Sequence, residues 1–321
     1  MKIGIAISSV IVLAVIGLFV LRLQTPADKP TAASSDQSLK ITSLPNGLPV
    51  IFEPATGTAE DGNAALAFAF ETVREHKEVL RQGGIRPVMK NAAALAVCTA
   101  LLDAVNAGPF SDGFIDRKIP EGQIDSSPLR IELNALADGY NRRMNLLIDE
   151  GEFEEADTLA RAWFEFGRRI MAQNIQFKIR QLSLGIMQSG VGNVGRVASA
   201  MEDEGVIDAD AKKLVTDDTL AWFTAIKVVQ DAWSEKLKSI ASTKPNVADL
   251  VRVAELDEDR SLRVFATYHL GYAKYERGEP GNQRLINKAI ATAMESDDTM
   301  IRQMGTAASE MTVEQFHDSQ H

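Results

Sequence analysis

An apolar run at the N-terminus constrains this chain more than any other feature. Residues 3–21 are uncharged and mostly apolar, with Lys2 before them and Arg22 after them. As an α-helix the run is about 28 Å long, close to the ~30 Å hydrocarbon core of a bilayer. The apolar region of a secretory signal is shorter, about 7–15 residues. We therefore predict a retained transmembrane signal-anchor over residues 1–23, with a cleaved signal and a secreted protein as the alternative.

The charges beside this run bear on its orientation. Lys2 and the free amine lie on one side, and Arg22 and Lys29 lie on the other, so the positive-inside rule is nearly balanced. The short basic start is typical of an exported chain. We expect a single-pass membrane protein with a cytoplasmic N-terminus and a body that is periplasmic or otherwise extracytoplasmic.

The segment after the anchor has the composition of a tether. Residues 24–45 are rich in Pro, Ser, Thr, Ala and Asp, and such a segment buries too little apolar surface to order itself. Residues 50–52 lie between Pro49 and Pro54 and are predicted to form a short extended arm that packs on the body. Residues 24–60 are therefore predicted to be a flexible linker that includes this arm.

The rest of the chain has the periodicity of helices. Apolar residues recur at steps of three and four, which predicts amphipathic helices and an all-α fold. A long loop is predicted at 108–127, where Gly, Pro, Asp and Ser are frequent. We predict a helical domain over residues 61–316 and a polar tail over 317–321. The clearest helices are predicted at 63–80, 87–107, 129–147, 153–170 and 220–240.

Two segments near the C-terminus repeat at an offset of 39 residues. Residues 247–263, VADLVRVAELDEDRSLR, align with residues 286–302, INKAIATAMESDDTMIR. The pattern predicts a helix, an acidic turn that caps the next helix, and then that helix. The matched residues are Val247 and Ile286, Val251 and Ile290, Ala254 and Ala293, Glu258-Asp259 and Asp297-Asp298, Leu262 and Ile301, and Arg263 and Arg302.

This pair of segments resembles the HEAT family of helical repeats, whose period is about 40 residues and whose turn often carries Asp and Arg. Residues 150–156, EGEFEEA, resemble the turn of a tetratricopeptide unit, although the Leu-Gly pair of that family is missing upstream. Both resemblances imply antiparallel helix pairs stacked in an α-solenoid-like array that binds proteins or peptides. Chance similarity among amphipathic helices is the alternative.

The charge balance argues against one class of partner. The formal net charge is −10, so the chain repels phosphate backbones and gains nothing from counterion release. The pairs Arg142/Arg143 and Arg168/Arg169 are too small to reverse this, and we interpret them as solvated helix faces. No nucleic-acid partner is expected.

Candidate residues for chemistry are few. Cys98 lies in a run of Ala, Val and Leu, which predicts a small buried residue and not a nucleophile. The histidines His76, His269, His317 and His321 lack metal-ligand spacing. His269 shares a helix face with apolar residues and is predicted to be a hydrogen-bonded core histidine. We predict no catalytic, cofactor-binding or metal-binding residue.

One glycine motif needs an explicit interpretation. Residues 190–195, GVGNVG, match the dinucleotide-binding pattern G-x-G-x-x-G. That site needs a strand before the motif and a second strand ending in an acid about twenty residues later. Residues 206–208 are too short for the second strand. We interpret the motif as a glycine-rich break between two helices.

These patterns favour one function and leave two others open. The anchor, the tether and the helix pairs predict a membrane-anchored helical-repeat protein that acts as a protein–protein interaction or scaffold module. The alternatives are a structural membrane component that self-associates as a homo-oligomer, and an enzyme whose site is assembled from distant residues. The partner, a protein or peptide, is not identified by the sequence.

Overall fold

The structure is a computed structural model that describes residues 48–52, 57–82, 84–111, 114–115, 127–173, 177–241, 246–274 and 280–311. The predicted anchor, most of the predicted tether and the predicted tail lie outside the described residues. The residues that are described form ten α-helices and no strand, which confirms the all-α prediction. In chain order the helices are α1 Ala59–Arg81, α2 Pro87–Ala107, α3 Ser127–Asp149, α4 Phe153–Ala172, α5 Phe177–Asp203, α6 Ala209–Ile240, α7 Val247–Leu256, α8 Arg260–Ala273, α9 Pro280–Met294 and α10 Thr299–Glu310.

Local sequence signals explain where several helices begin and end. Thr58 and Asp61 form a capping box at α1, in which each side chain accepts a hydrogen bond from the backbone N–H of the other residue. Because of this capping box, α1 begins at Ala59, four residues before the start predicted at residue 63. Pro87 occupies the first position of α2. Gly151 takes a φ of 76° between α3 and α4, a left-handed conformation that glycine adopts without strain.

Most of the helices pack against their neighbours in the chain. Helices α1, α2 and α3 contact one another, and α2 and α3 also contact α4. The α4–α5 pair has the most extensive contact, and α6 packs against α5. At the C-terminus, α7 pairs with α8 and α9 with α10, while α7 also contacts α9 and α8 contacts α10. The two C-terminal pairs are therefore stacked side by side.

Two hydrophobic clusters hold these helices together. The first joins α1–α5 and contains the fully buried side chains of Tyr140, Trp163 and Phe166. The second joins α4–α10 and contains Trp233 and Leu262. The α4–α5 pair contributes to both, because opposite faces of its helices are buried in different clusters.

The predicted arm before α1 packs on the body. Leu48 is fully buried and Ile51 nearly so, and both belong to the second cluster. Arg161 Nη1 on α4 donates a hydrogen bond of 3.5 Å to the carbonyl oxygen of Ile51. Contact with the body holds these residues without any strand pairing.

Helix α2 combines a buried face with an unusually apolar composition. Of the residues that the structure describes, it is the one helix long and apolar enough to cross a membrane. A core helix meets the same criteria of length and composition. Ala94, Val97 and Leu101 are fully buried in the first cluster, so we describe α2 as a helix of the body.

Candidate binding site between the repeated helix pairs

The 39-residue repeat folds into two helix pairs with matching turns. Asp259 is the N-cap of α8, and its side chain accepts a hydrogen bond of 2.9 Å from the backbone N–H of Ser261. Asp298 is the N-cap of α10 and accepts from the N–H groups of Met300 and Ile301 at 2.9 and 3.2 Å. The acidic residues predicted to cap both second helices therefore do so.

The same two aspartates bind arginines from helices earlier in the chain. Arg180, at the start of α5, forms an ion pair with Asp259 and donates to Ser261 Oγ at 3.2 Å. Arg260, at the start of α8, pairs with Asp298 with an Nε–Oδ2 distance of 2.6 Å. Burial lowers the pKa of Arg180 to about 10, so the guanidinium stays charged at neutral pH. Asp259 thus links the α7–α8 pair to α5, and Asp298 links the α9–α10 pair to the α7–α8 pair.

Small residues let the stacked helices approach closely. A Cβ atom on Gly271 of α8 would lie 2.9 Å from the Cα of Ala308 on α10. A Cβ atom on Gly305 would lie 2.8 Å from the backbone nitrogen of Met294 on α9. Real Cβ atoms essentially never come this close, so both contacts require glycine.

A cavity of about 350 Å³ opens between the two turns, near the lower limit for ligand pockets. It lies at the C-terminal ends of α7 and α9, where backbone carbonyls and the helix dipole are negative. The Arg263 Nε atom is buried and has no hydrogen-bond partner among the described residues. The cavity is lined by Ala254, Glu255, Arg263, Thr292, Ala293, Glu295, Ser296, Asp297 and Ile301.

The residues that line the cavity can bind a polar ligand. Three carboxylates accept hydrogen bonds and attract cations, while Arg263 supplies donors to a carbonyl or carboxylate. A peptide offers both kinds of group, since its backbone alternates donors and acceptors. The side chains at this cavity do not include a cysteine or histidine that could act as a nucleophile or base.

A second surface, on α8, was missed by the sequence analysis. Four aromatic side chains there are partly buried: Phe265, Tyr268, His269 and Tyr272. Their rings contact one another with centroid distances from 4.5 Å (Phe265–His269) to 6.0 Å (Tyr268–His269). Their spacing of three and four residues places them on one helix face. That spacing was visible in the sequence, but the same pattern also describes a core face.

The histidine of this surface differs from its prediction. His269 was expected to be a hydrogen-bonded core residue, but it is only partly buried among aromatic rings, and no hydrogen bond of its ring is present among the described residues. Partial burial lowers the pKa of His269, because desolvation disfavours the charged imidazolium. His76 lies on α1, partly buried, and the remaining two histidines lie outside the described residues.

The prediction for Cys98 is confirmed. Its side chain is 2% exposed in the first cluster, and burial raises the pKa of the thiol to about 12. A thiol with this pKa contains almost no thiolate at neutral pH, so it is a poor nucleophile.

The glycine motif at residues 190–195 is not a break, and this prediction was wrong. Helix α5 runs through it without interruption from Phe177 to Asp203. A Cβ on Gly190 would lie 2.8 Å from the Phe164 nitrogen and 2.9 Å from the Ala160 oxygen, so this glycine permits close packing of α5 on α4. A helix interior offers no free N–H groups to a pyrophosphate.

The interpretation of Arg168 and Arg169 as a solvated face was also wrong. Both arginines pair with Glu165, whose side chain is 1% exposed. Arg169 also donates to the Gly108 carbonyl and lies over the Phe110 ring at 5.4 Å. Burial of these charges is tolerated because they are paired and hydrogen-bonded. The network fixes the end of α2 against α4.

Within the described ranges, no group of three or more His, Cys, Asp or Glu residues is placed to hold a metal ion.

Comparison with known proteins gave no matching family model, no matching curated protein and no matching solved structure.

Proposed function

We propose that this protein is a membrane-anchored helical-repeat protein whose body binds a protein or an extended peptide on the exported side of the membrane. Residues 3–21 are the anchor and the segment up to Leu48 is the tether. The observation that carries the proposal is the stacking of two matched helix pairs, linked by Arg260 and Asp298, around a polar cavity.

An α-solenoid-like arrangement of the body is part of this proposal. The first helices of the two C-terminal pairs contact each other, as do the second helices, which is the contact pattern of neighbouring repeats. The link from Arg180 to Asp259 extends the same type of connection back to α5. These features support an array in which each pair is stabilised mainly by its neighbours.

The cavity favours a partner with basic or backbone amide groups. Glu255, Glu295 and Asp297 give it an excess of negative charge over Arg263. The net charge of the whole chain, −10, attracts the same class of partner. We therefore expect a basic segment of the partner to lie across the turns of α7–α8 and α9–α10.

A photo-crosslinking amino acid tests this binding site in the full-length chain in its native membrane. Placed at Thr292, which lines the cavity, it should crosslink to a partner that also co-purifies in mild detergent. The matched control is the same amino acid at Lys227, which is exposed on α6. The variant Glu295→Gln removes one negative charge of the cavity at an exposed position, so it should reduce the Thr292 crosslink and leave folding intact. Equal crosslinking at both positions, or none at Thr292, would contradict the proposal.

Self-association is a second candidate function, and α6 supplies the observation that favours it. Leu214 and Val228 are 69% and 63% exposed and are two heptads apart, so they lie on the same solvent face of this helix. A second copy of α6 could cover that face. Crosslinks between copies from position 214 or 228, without a crosslink at Thr292, would support this candidate over the first.

A further inference from the structure

The connection between α1 and α2 presents apolar side chains to solvent. Val88 and Met89, in the first turn of α2, are 77% and 53% exposed, and Leu95 on the same helix is 47% exposed. Val88, Ala92, Leu95 and Thr99 follow each other at steps of four, three and four residues, so they form one uncharged stripe. A helix that is apolar all round is normally covered on all sides, but this stripe of α2 is not.

The charges around this stripe are basic in an otherwise acidic chain. The charged residues within 79–102 are Arg81, Arg86 and Lys90, and no Asp or Glu occurs there. None of these three has an ion-pair partner in the part of the chain that the structure describes. Arg142 of α3 adds a fourth cation, since its guanidinium donates to Asn91 Oδ1 and to the Pro87 carbonyl.

Asp138 on α3 opposes this charge, and Glu78 lies one turn before Arg81 on α1. Desolvation raises the pKa of Asp138, and the nearby Arg81 and Lys90 offset only part of this rise. The surface formed by Arg81, Arg86, Val88, Met89 and Lys90, here called the α1–α2 tip, nevertheless retains a net positive charge.

We propose that the α1–α2 tip docks on the surface of a bilayer that contains anionic phospholipid. Exposed apolar side chains flanked by Lys and Arg are the features that hold a helix at a membrane interface. Val88 and Met89 insert among the headgroups and upper acyl chains, while the cations bind lipid phosphates. This contact rests on the membrane anchor of the proposed function but not on its partner-binding role.

The length of the chain outside the described body makes the contact possible. Residues 22–47, between the apolar run and the described body, span at most about 85 Å when fully extended. Helix α1, which separates the start of the body from the tip, is about 35 Å long. An anchor at residues 3–21 therefore leaves the tip within reach of the same bilayer.

The charge pattern favours lipid over a second copy of this chain. Two α1–α2 tips placed face to face would bring Arg81, Arg86 and Lys90 of one copy against the same cations of the other. Like charges in contact disfavour association. Anionic headgroups supply the missing countercharge in a continuous layer.

A nitroxide label at the tip tests this docking in the full chain, reconstituted into vesicles of phosphatidylcholine with phosphatidylglycerol. The label is attached at Val88→Cys in a Cys98→Ala background, and the control label is at Val206→Cys, which is also exposed. We expect the tip label to be reached by oxygen, which partitions into lipid, and shielded from a water-soluble nickel reagent. The control label should remain open to nickel.

Charge variants identify what the tip recognises. Arg86→Gln and Lys90→Gln should each lower the ratio of shielded to exposed tip label about fivefold, because each cation near an anionic surface contributes a comparable factor. Lys227→Gln on α6 is the matched control and should have no effect. A tip label open to nickel in anionic vesicles would overturn the proposal, as would equal shielding in pure phosphatidylcholine or disulfide crosslinks between tips of two copies.

Discussion

The first hydrophobic cluster and the repeated helices α7–α10, here called the C-terminal layer, are stabilised in different ways. In the first, helices of 20 to 27 residues bury large aromatic side chains, and the Tyr140 ring stacks on Trp163 at 4.5 Å. Its buried charges join residues far apart in sequence, such as Arg169 and Gly108. In the C-terminal layer, helices of 10 to 15 residues are joined through small residues, capping aspartates and arginines at the turns.

This difference predicts different responses to mutation. A residue of the first cluster contacts several helices at once, so removal of its side chain should destabilise all of α1–α5. In the C-terminal layer the same local contact, a capping aspartate paired with an arginine, occurs at both turns, and each helix pair depends mainly on its neighbours. A change at one turn there should loosen that turn and leave the first cluster unaffected.

The three tryptophans let both regions be followed separately. Trp163 lies in the first cluster and Trp233 in the second, while Trp222 packs against both. In chains that retain only one tryptophan, unfolded by urea in detergent, Trp163 should therefore report mainly on the first cluster and Trp233 mainly on the second cluster, which includes the C-terminal layer.

The largest effect is expected from Glu165→Ala in the first cluster. The variant leaves Arg168 and Arg169 buried without their carboxylate, and breaking a buried ion pair in this way costs about 3–5 kcal/mol. Urea unfolding followed by Trp163 fluorescence measures the loss. Glu154→Ala, an exposed position on the same helix, is the control and should cost less than about 1 kcal/mol. Equal losses for both variants would refute the assignment of Glu165 to a buried network.

Two glycines of the 190–195 motif should respond in opposite directions. Gly190→Ala places a methyl group against the backbone of α4 and is expected to cost about 1–3 kcal/mol. Gly192→Ala meets only the Phe223 ring at 3.8 Å, an ordinary contact, and gains up to about 1 kcal/mol of helix propensity. Urea midpoints of the two variants provide the comparison. A destabilised Gly192→Ala variant would show that the motif serves something other than helix packing.

The Glu165 network and Gly190 show why part of the fold could not be predicted from the sequence. The helices and the 39-residue repeat were predictable because their periodicity and Asp caps are local. The network of Arg169 with Gly108 spans 61 residues, and the contact of Gly190 with Ala160 joins two helices. No local pattern separates such an arginine from a solvated one, or such a glycine from a helix break.

The candidate binding site was predictable only in outline. The acidic turns were visible in the sequence, but the cavity forms because the two turns stack and bring Arg263 beside Glu295 and Asp297. Such contact between repeats depends on helix lengths and on the small residues Gly271 and Gly305, which have no functional signature of their own.

A smaller effect, confined to the C-terminal layer, is expected from Asp298→Ala. The loss of the N-cap of α10 costs about 1–2 kcal/mol. Hydrogen exchange should become faster in α10 and stay unchanged in α1. Arg260→Ala and the double variant complete a cycle, and a coupling of at least about 0.5 kcal/mol is expected for residues in contact. If the free-energy losses of the two single variants simply add up in the double variant, the Arg260–Asp298 pair does not link the two repeats.

The smallest effect is a pH dependence from His269, which belongs to the same layer. Partial burial lowers its pKa in the folded protein below the unfolded value of about 6.5. Between these two pKa values the unfolded chain binds more protons, so stability is full above about pH 6.5 and is lost as the pH falls through the folded pKa. The urea midpoint reported by Trp233 should therefore fall on acidification in this window.

The control variant His269→Phe retains the aromatic contacts with Phe265 and Tyr272 but has no group that titrates there, so its urea midpoint should fall less. Because the side chain is half-exposed, the difference is small, and an identical pH profile in both proteins would assign the acid sensitivity of this layer to its carboxylates instead.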